Sequence, residues 1–322
     1  MDLIGIDVGG TKVSICLGDE EGNIIDHKRI PTAQLKGPDT GLPQLVEQVG
    51  HLLRDHNLEV EEIRGIGLAL PGPLSVKEGV LIAPPNLPEW KNVPIVRYFR
   101  ERLGRPVFVN NDANAGALAE WEFGSAKHAD NLVYLTMSTG MGGGVVTQGK
   151  LLLGGTDTAG EVGHFVLDPQ GPPCPCGQKG CFEVYCGGAN VARRLQERIK
   201  GGAKTRILEE AGSLEKIDMK SVTAAVKKGD ALAIEVWEEY IERLAQGIGI
   251  LLMTLNPDAI LLGTIATHEK ELVMKPLLNA LPYFSWNIPF KHCRIEPSIL
   301  GDDIGKLGAL ALAIEGLRQL SS

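Results

Sequence analysis

The stretch from Asp2 to Leu17 reads DLIGIDVGGTKVSICL and joins two apolar runs through a glycine turn. Its first seven residues predict a buried strand, and the apolar residues from Val13 predict a second strand. A third strand is predicted from Asn23 to Ile30. A Walker loop or a dinucleotide fingerprint leads from a strand into a helix, whereas these glycines lead from strand to strand. The sequence therefore predicts an antiparallel β-meander.

The first glycine turn carries groups that suit a phosphate. Backbone N–H groups at Gly9 and Gly10 can form an anion-binding nest, to which the Thr11 hydroxyl and the Lys12 ammonium add donors. Asp7, at the end of the first strand, is a candidate to hold a hydrated magnesium ion. A plain hairpin turn is the alternative for this motif taken alone.

A second hairpin of the same kind is predicted in the middle of the chain. The strand predicted from Leu132 to Met137 runs into STGMGGG at residues 138–144, and another strand follows. Thr139 and Gly140 are the expected phosphate donors, with a plain glycine hairpin near the hinge of the molecule as the alternative. The same device at residues 3–17 and 132–149 predicts two related lobes.

A further chemical centre reads NNDANA at residues 110–115, between a strand predicted from Pro106 to Val109 and an amphipathic helix that runs to Phe123. Open α/β sheets bind ligands at the carboxyl ends of their strands, where Asp112 is expected to lie. A carboxylate in that place can accept a proton from a substrate hydroxyl. The alternative is that Asp112 only caps the helix.

A Cys-x-Cys-x4-Cys cluster lies behind a histidine. His164, Cys174, Cys176 and Cys181 supply the four ligands of a closed tetrahedral zinc site, which is typical of structural zinc. Reduced thiols in a turn, or one disulfide with a spare thiol, are the alternatives. A metal-dependent hydrolase that uses the zinc is a weaker possibility and would need an open coordination position.

Two acids bracket this loop, Glu161 before His164 and Glu183 after Cys181. Carboxylates that a metal loop holds in place can accept hydrogen bonds from neighbouring hydroxyls of a sugar, although solvated loop glutamates are the plainer alternative. Asn86 lies in a proline-stiffened loop, which suits a sugar-binding amide or a simple connection.

Length and charge exclude several classes of function. The chain has 322 residues, enough for two lobes, and a formal net charge of −8 without a basic stripe, which argues against a nucleic-acid partner. No apolar run approaches the roughly 20 residues that cross a bilayer, and the N-terminus does not resemble a signal peptide. We therefore expect a cytoplasmic protein, in agreement with the expected burial of the thiols of Cys16 and Cys293.

The expected division is an N-terminal α/β lobe at residues 1–115 and a C-terminal α/β lobe at residues 116–305, with the zinc loop at 164–181. A last alanine-rich helix, at about residues 306–322, is expected to pack back on the first lobe. A ligand would bind in the cleft between the lobes, which would close on it.

With these motifs together, the sequence resembles the ROK family of sugar kinases, and within it the zinc-containing bacterial glucokinases. The resemblance spans nearly the whole chain and rests on the first glycine turn, NDANA at 111–115, STGMGGG at 138–144, and EVGH at 161–164 with the cysteines. It implies a duplicated RNase H-like, actin/hexokinase-type fold with an interlobe cleft. It also implies an ATP- and Mg²⁺-dependent kinase for the 6-hydroxyl of glucose, usually dimeric or tetrameric.

The resemblance assigns roles residue by residue. Asp112 would be the general base, and His164 would serve both the sugar and the zinc. The implied sugar contacts are Gly72, Asn86, Asn111, Asp112, Glu161, His164 and Glu183. The expected nucleotide-binding residues are Asp7, Gly9, Gly10, Thr11, Lys12, Thr139, Gly140 and Gly263.

The sequence departs from the family pattern at two places, both expected on the nucleotide side. Thr264 and Ile265 stand where glycines are usual, and Ile304 and Lys306 stand where small and apolar residues are usual. Two alternatives to glucokinase activity remain. One is a kinase for another hexose or for N-acetylmannosamine, and the other is a non-catalytic regulator that binds sugar.

Overall fold

The computed structural model describes residues 2–321, which form two five-stranded sheets with helices packed around them. The strands are β1 (Leu3–Val8), β2 (Lys12–Gly18), β3 (Ile24–Pro31), β4 (Ile66–Leu70), β5 (Leu74–Ser75), β6 (Val80–Leu81), β7 (Val107–Asn111), β8 (Leu132–Met137), β9 (Met141–Thr147), β10 (Lys150–Leu151), β11 (Ala259–Leu262) and β12 (Arg294–Pro297). The helices are α1 (Pro38–Asp55), α2 (Ile95–Leu103), α3 (Asp112–Phe123), α4 (Phe182–Cys186), α5 (Gly188–Lys200), α6 (Ile207–Ala211), α7 (Met219–Lys227), α8 (Ala231–Leu255), α9 (Ile265–His268), α10 (Lys270–Ala280), α11 (Asn287–His292) and α12 (Ile304–Ser321).

The two sheets repeat one topology. In the first sheet the strand order is β3-β2-β1-β4-β7, and in the second it is β10-β9-β8-β11-β12. Each sheet begins with a three-stranded antiparallel meander. A fourth strand pairs in parallel with the first strand of that meander, and a fifth pairs in parallel with the fourth. We call the first sheet with its helices the first lobe and the second sheet with its helices the second lobe. β5 and β6 form a separate small hairpin.

The last helix, α12, packs against β1 and β4 of the first sheet and against α3. Glycines on the sheet allow the close approach, because a side chain at Gly67 would collide with the backbone carbonyl of Ala309. The contact buries Leu3, Leu310 and Ile314 in one apolar cluster. Since α3 also packs on β8 and β9, the pair α3 and α12 connects the two lobes.

Several predicted elements agree closely with the structure. The strand predicted from Leu132 to Met137 has those bounds, and the third predicted strand, from Asn23 to Ile30, is shifted by one residue to Ile24–Pro31. Sequence reasoning missed α4, directly after the last cysteine, and it ended β7 at Val109, two residues early. No helix within residues 2–321 is both long and apolar enough to span a membrane.

Candidate active site

Asp112 is the first residue of α3, at the point where β7 ends and the helix begins. The helix cap is the preceding residue: the Asn111 side chain accepts a hydrogen bond from the backbone N–H of Asn114 at 2.7 Å. The prediction that Asp112 only caps the helix is therefore wrong. Its Oδ1 atom accepts a hydrogen bond from the adjacent Ala113 N–H at 2.9 Å, and the residue is exposed.

The surroundings of Asp112 raise the pKa of its carboxyl group. The residue is exposed on the cleft side, but protein atoms surround its other sides, and this desolvation raises its pKa. The hydrogen bond from the N–H of Ala113 opposes the shift, and the negative charge of Glu161 adds to it. A carboxylate with a raised pKa is a stronger proton acceptor when ionised, as a general base requires.

Asp7 lies near Asp112, at the end of β1. Burial, and then the charge of Asp112, raise the pKa of Asp7 to about 6, while Lys12 and Lys306 lower it. The turn that follows is held by hydrogen bonds from the Gly9 N–H to the Lys12 carbonyl at 3.0 Å and from the Thr32 hydroxyl to the Gly9 carbonyl at 2.7 Å.

Lys306 was expected on the nucleotide side because it departs from the family pattern. The structure places it in the first turn of α12, 5% exposed, with its ammonium 2.6 Å from Asp303 Oδ1. It acts electrostatically on Asp7, so it belongs with the first glycine turn. The neighbouring Gly305 allows this proximity, because a Cβ there would collide with the Asp7 carboxylate.

Side chains from both lobes meet beside Asp112. Asn111 Nδ2 donates to Glu161 Oε1 at 3.4 Å, and a Cβ added at Gly72 would lie 3.9 Å from the same oxygen. Burial raises the pKa of Glu161, with the charge of His164 opposing the shift and that of Glu183 adding to it. Asn111, Glu161, His164 and Gly72, predicted from separate motifs, therefore lie together.

Glu183 connects this group to the second glycine turn. Its Oε2 accepts from the Met141 N–H at 3.1 Å, and a Cβ at Gly140 would lie 2.7 Å from that oxygen. Glycine at 140 is therefore needed for a carboxylate to approach, in addition to any role in phosphate binding. The glycines at 142–144 lie inside β9, and Gly144 allows α3 to pack closely, since a side chain there would collide with Ala113.

Asn86 also reaches the cleft. It is exposed, and a Cβ at Gly10 would lie 3.3 Å from its Nδ2 atom. Because Gly10 has no side chain, the proline-rich loop that carries Asn86 can pack against the first glycine turn. The predicted sugar-binding amide and the predicted phosphate turn are adjacent.

The His164 and cysteine cluster forms as predicted. The ligand atoms of His164, Cys174, Cys176 and Cys181 all lie within 4.8 Å of one another. Cys176 and Cys181 Sγ are 3.6 Å apart, and Cys174 Sγ is 3.8 Å from His164 Nδ1. Tetrahedral zinc with bonds of about 2.3 Å separates its ligands by roughly 3.8 Å, so this donor set fits the ion. All six cysteines are free in this structure, and the 3.6 Å between Cys176 and Cys181 Sγ suits two ligands of one metal ion rather than a disulfide.

A cavity of about 410 Å³ opens beyond the second glycine turn. It is lined by Ser138, Thr139, Gly188, Ala189, Ala192, Ile217, Asp218, Met219, Lys220, Thr223, Thr264, Ile265, His268 and Glu269. Thr139 belongs to the predicted nucleotide set, and Thr264 and Ile265 are expected on the nucleotide side, whereas sequence reasoning missed the residues from α5 and α7. The local sequence feature that could have indicated this contact is the Gly187-Gly188 pair at the start of α5. The N–H groups of Gly188 and Ala189 donate to the carbonyl groups of Ser138 and Thr139 in the second turn.

The two residues that follow β11, Gly263 and Thr264, have different surroundings. Gly263, a predicted nucleotide contact, does not line this cavity and packs against the Tyr134 ring, which a Cβ at this position would strike. Thr264 does line it, with φ +47° and ψ −94°. A β-branched residue at positive φ is strained, which explains why glycine suits this position.

The ROK family model matches residues 3–316. The glucokinase of Thermotoga maritima is 33% identical over 318 residues, covering 98% of this chain and 98% of that protein. A ROK family glucokinase from Streptomyces griseus, crystallised with glucose and AMPPNP, is 28% identical with a TM-score of 0.82, covering 98% of this chain and 100% of that one. A xylose repressor of Caldicellulosiruptor bescii is 28% identical over 315 residues, covering 98% of this chain and 78% of that protein.

The fold shared with these solved relatives is the two-lobe actin/hexokinase-type fold, so the predicted fold class is confirmed. The chain belongs to the ROK family. Because relatives of similar identity include a glucokinase and a repressor, the activity must be argued from the site itself.

Proposed function

We propose that the protein is an ATP-dependent kinase that phosphorylates the 6-hydroxyl of glucose in the cytoplasm. The observation that carries the proposal is the free carboxylate of Asp112. Asn111 caps α3 in its place, which leaves Asp112 open to the cleft and surrounded by the predicted sugar-binding side chains. A protein that only bound sugar would not need an acceptor with a raised pKa at this point.

In this proposal the sugar is oriented by polar groups from both lobes. The Glu161 carboxylate accepts hydrogen bonds from its hydroxyls, and the amides of Asn86 and Asn111 can donate and accept. The Nε2 atom of His164 faces the sugar, because Nδ1 lies 3.8 Å from the Cys174 sulfur. Asp112 accepts the proton of the 6-hydroxyl as that oxygen attacks the γ-phosphorus of ATP. The bond from the γ-phosphorus to the β,γ-bridging oxygen breaks, so that ADP leaves with the electron pair.

The N–H groups of the two glycine turns, with Thr11, Lys12 and Thr139, bind the phosphates. Mg²⁺ fits the cleft, because the largely buried Asp7 carboxylate offers an oxygen donor beside the first glycine turn, and when bound the ion would neutralise phosphate charge. Zn²⁺, held by His164, Cys174, Cys176 and Cys181, would shape the loop that carries Glu161 and Glu183. With four protein ligands the site has no open position for hydrolytic chemistry.

Another sugar is the nearest alternative, since a putative N-acetylmannosamine kinase from Listeria monocytogenes has the same fold. The space around Asn86 and Glu161 decides between these substrates. The more distant alternative is a regulator that binds sugar without phosphorylating it, as the similarity to a repressor suggests.

The test is ADP release from Mg-ATP by purified protein with glucose, mannose, fructose, N-acetylmannosamine or no sugar. We expect turnover above the blank with glucose and the highest kcat/KM for it. Preference for another sugar would replace the substrate and keep the kinase assignment. Glucose binding without turnover on any sugar would overturn the kinase assignment in favour of the regulator.

A further inference from the structure

Asp157 makes a contact between the lobes that no part of the proposed mechanism uses. It lies in the loop from Leu152 to Gly160, which follows β10 and leads directly to Glu161. Its Oδ2 atom accepts from the Val76 N–H at 2.8 Å, the Lys77 N–H at 3.3 Å and the Ser75 hydroxyl at 3.4 Å. Three donors from one turn therefore converge on one carboxylate oxygen of the other lobe.

The turn that donates these bonds belongs to the small hairpin of β5 and β6, which is fixed to the first lobe. The Val96 N–H at the start of α2 bonds to the Gly79 carbonyl at 3.2 Å, and Leu81 pairs with Val93. The hairpin begins two residues after Gly72, which approaches Glu161. A movement of the hairpin relative to the second lobe would thus displace Gly72 at the predicted sugar site.

The loop around Asp157 is also tightly folded. The Ala159 N–H bonds to the Leu153 carbonyl at 3.0 Å, and Asp157 itself has φ +59°. Left-handed backbone at a non-glycine residue is uncommon, and aspartate tolerates it better than most side chains. This conformation directs the carboxylate at the hairpin, so the backbone strain and the three hydrogen bonds serve the same contact.

We propose that Asp157 is a positioning residue that clasps the two lobes at the mouth of the sugar site and holds Glu161 against the sugar. The inference rests on the proposed function for its effect on sugar phosphorylation. Two links then cross the cleft near the sugar, Glu161 with Asn111 and Asp157 with the turn at 75–77. The clasp acts on sugar retention and leaves the reacting groups at Asp112 unchanged.

The test compares Asp157→Ala, Asp157→Asn and Glu78→Ala in the full-length zinc-loaded protein. Glu78→Ala removes an exposed carboxylate from the same hairpin, one that accepts none of these three bonds. We expect KM for glucose to rise about tenfold in Asp157→Ala, the scale of one hydrogen bond to a charged acceptor. We expect kcat to change less than about threefold, and Asp157→Asn to restore most of KM because its amide oxygen still accepts.

Hydrogen exchange of the backbone amides at Val76 and Lys77 measures the clasp without any turnover. Exchange should accelerate in Asp157→Ala and remain slow in Glu78→Ala. Wild-type exchange rates in Asp157→Ala would overturn the clasp, whether or not the protein is a kinase. Accelerated exchange with an unchanged KM would overturn its positioning role, and a joint loss of kcat and melting temperature would show a purely structural role. A wild-type protein that phosphorylates no sugar would defeat the proposed function, leaving the exchange data to decide the clasp.

Discussion

The predicted sugar side of the cleft consists of polar side chains that bond to one another, whereas the cavity beyond Thr139 is mainly an apolar surface next to one strained residue. On the sugar side, Asn111 bonds to Glu161, and Glu183 bonds to the Met141 N–H. In the cavity the two acidic side chains already have partners: Glu269 pairs with Lys227 at 2.6 Å, and Asp218 accepts from the Ser221 N–H at 2.8 Å. The first region is preorganised for directional recognition, and the second can select a ligand chiefly by shape.

The largest effect should come from Asp112→Asn. The amide keeps the size and the hydrogen-bonding reach of the side chain but cannot accept the hydroxyl proton, so kcat should fall about a thousandfold. Glucose affinity by calorimetry should change little, because the polar groups around the site stay in place. Asp39→Asn, at an exposed position of the same lobe, is the matched control. A kcat near the wild-type value would refute the base assignment.

The next prediction concerns Asp7, where one substitution should raise stability and lower turnover. Its pKa is 3.8 in the unfolded reference and about 6 in the folded protein, so the unfolded state loses its proton first as pH rises. The stability that this group contributes is therefore complete below pH 4 and lost as pH rises through 6. Asp7→Asn removes the buried charge and should raise the free energy of unfolding at pH 8 by on the order of 3 kcal/mol.

Denaturant unfolding of wild type and Asp7→Asn at pH 8, 6 and 5 measures this effect. The advantage of the variant should shrink as pH falls, while its turnover is poor at every pH because Asp7 is a proposed Mg²⁺ ligand. Lys12 and Lys306 offset part of the cost of the charge, so Asp7→Asn in a Lys306→Met background should gain more. A pH-independent difference would contradict the titration of Asp7.

A smaller effect tests how the sulfur cluster supports the sugar side. Cys176 is exposed, so Cys176→Ser should remove a zinc ligand without opening the core. Bound zinc by elemental analysis should fall, and KM for glucose should rise about tenfold, as the loop that carries Glu161 and Glu183 loosens. Cys293→Ser removes a buried thiol outside the cluster and should keep both zinc and KM. Retained KM in zinc-free Cys176→Ser would disprove the supporting role.

The sequence predicted the two regions unequally, and the reason is the range of the interactions. The strands and glycine turns carry local patterns, and so does the cysteine cluster, whose ligands His164 and Cys181 are close in the chain. The contact of Asp157 with Val76 joins residues 81 positions apart, and neither residue type signals it. Likewise, the cavity is lined by residues from α5 and α7, and the local sequence of each element indicates a helix but not its position at the cavity.

The smallest expected effect concerns Thr264 and sharpens the contrast between the regions. Thr264→Ala and Thr264→Gly both delete the hydroxyl and methyl that face the cavity, so both should raise KM for ATP about threefold and leave KM for glucose unchanged. Glycine adopts φ +47° without steric strain, whereas alanine does not, so Thr264→Gly should melt at a higher temperature than Thr264→Ala. Equal melting temperatures would mean that the backbone at 264 carries no strain. A change in KM for glucose in either variant would mean that the two sides of the cleft are coupled through β11, and the separation into a preorganised and a shape-selective region would then fail.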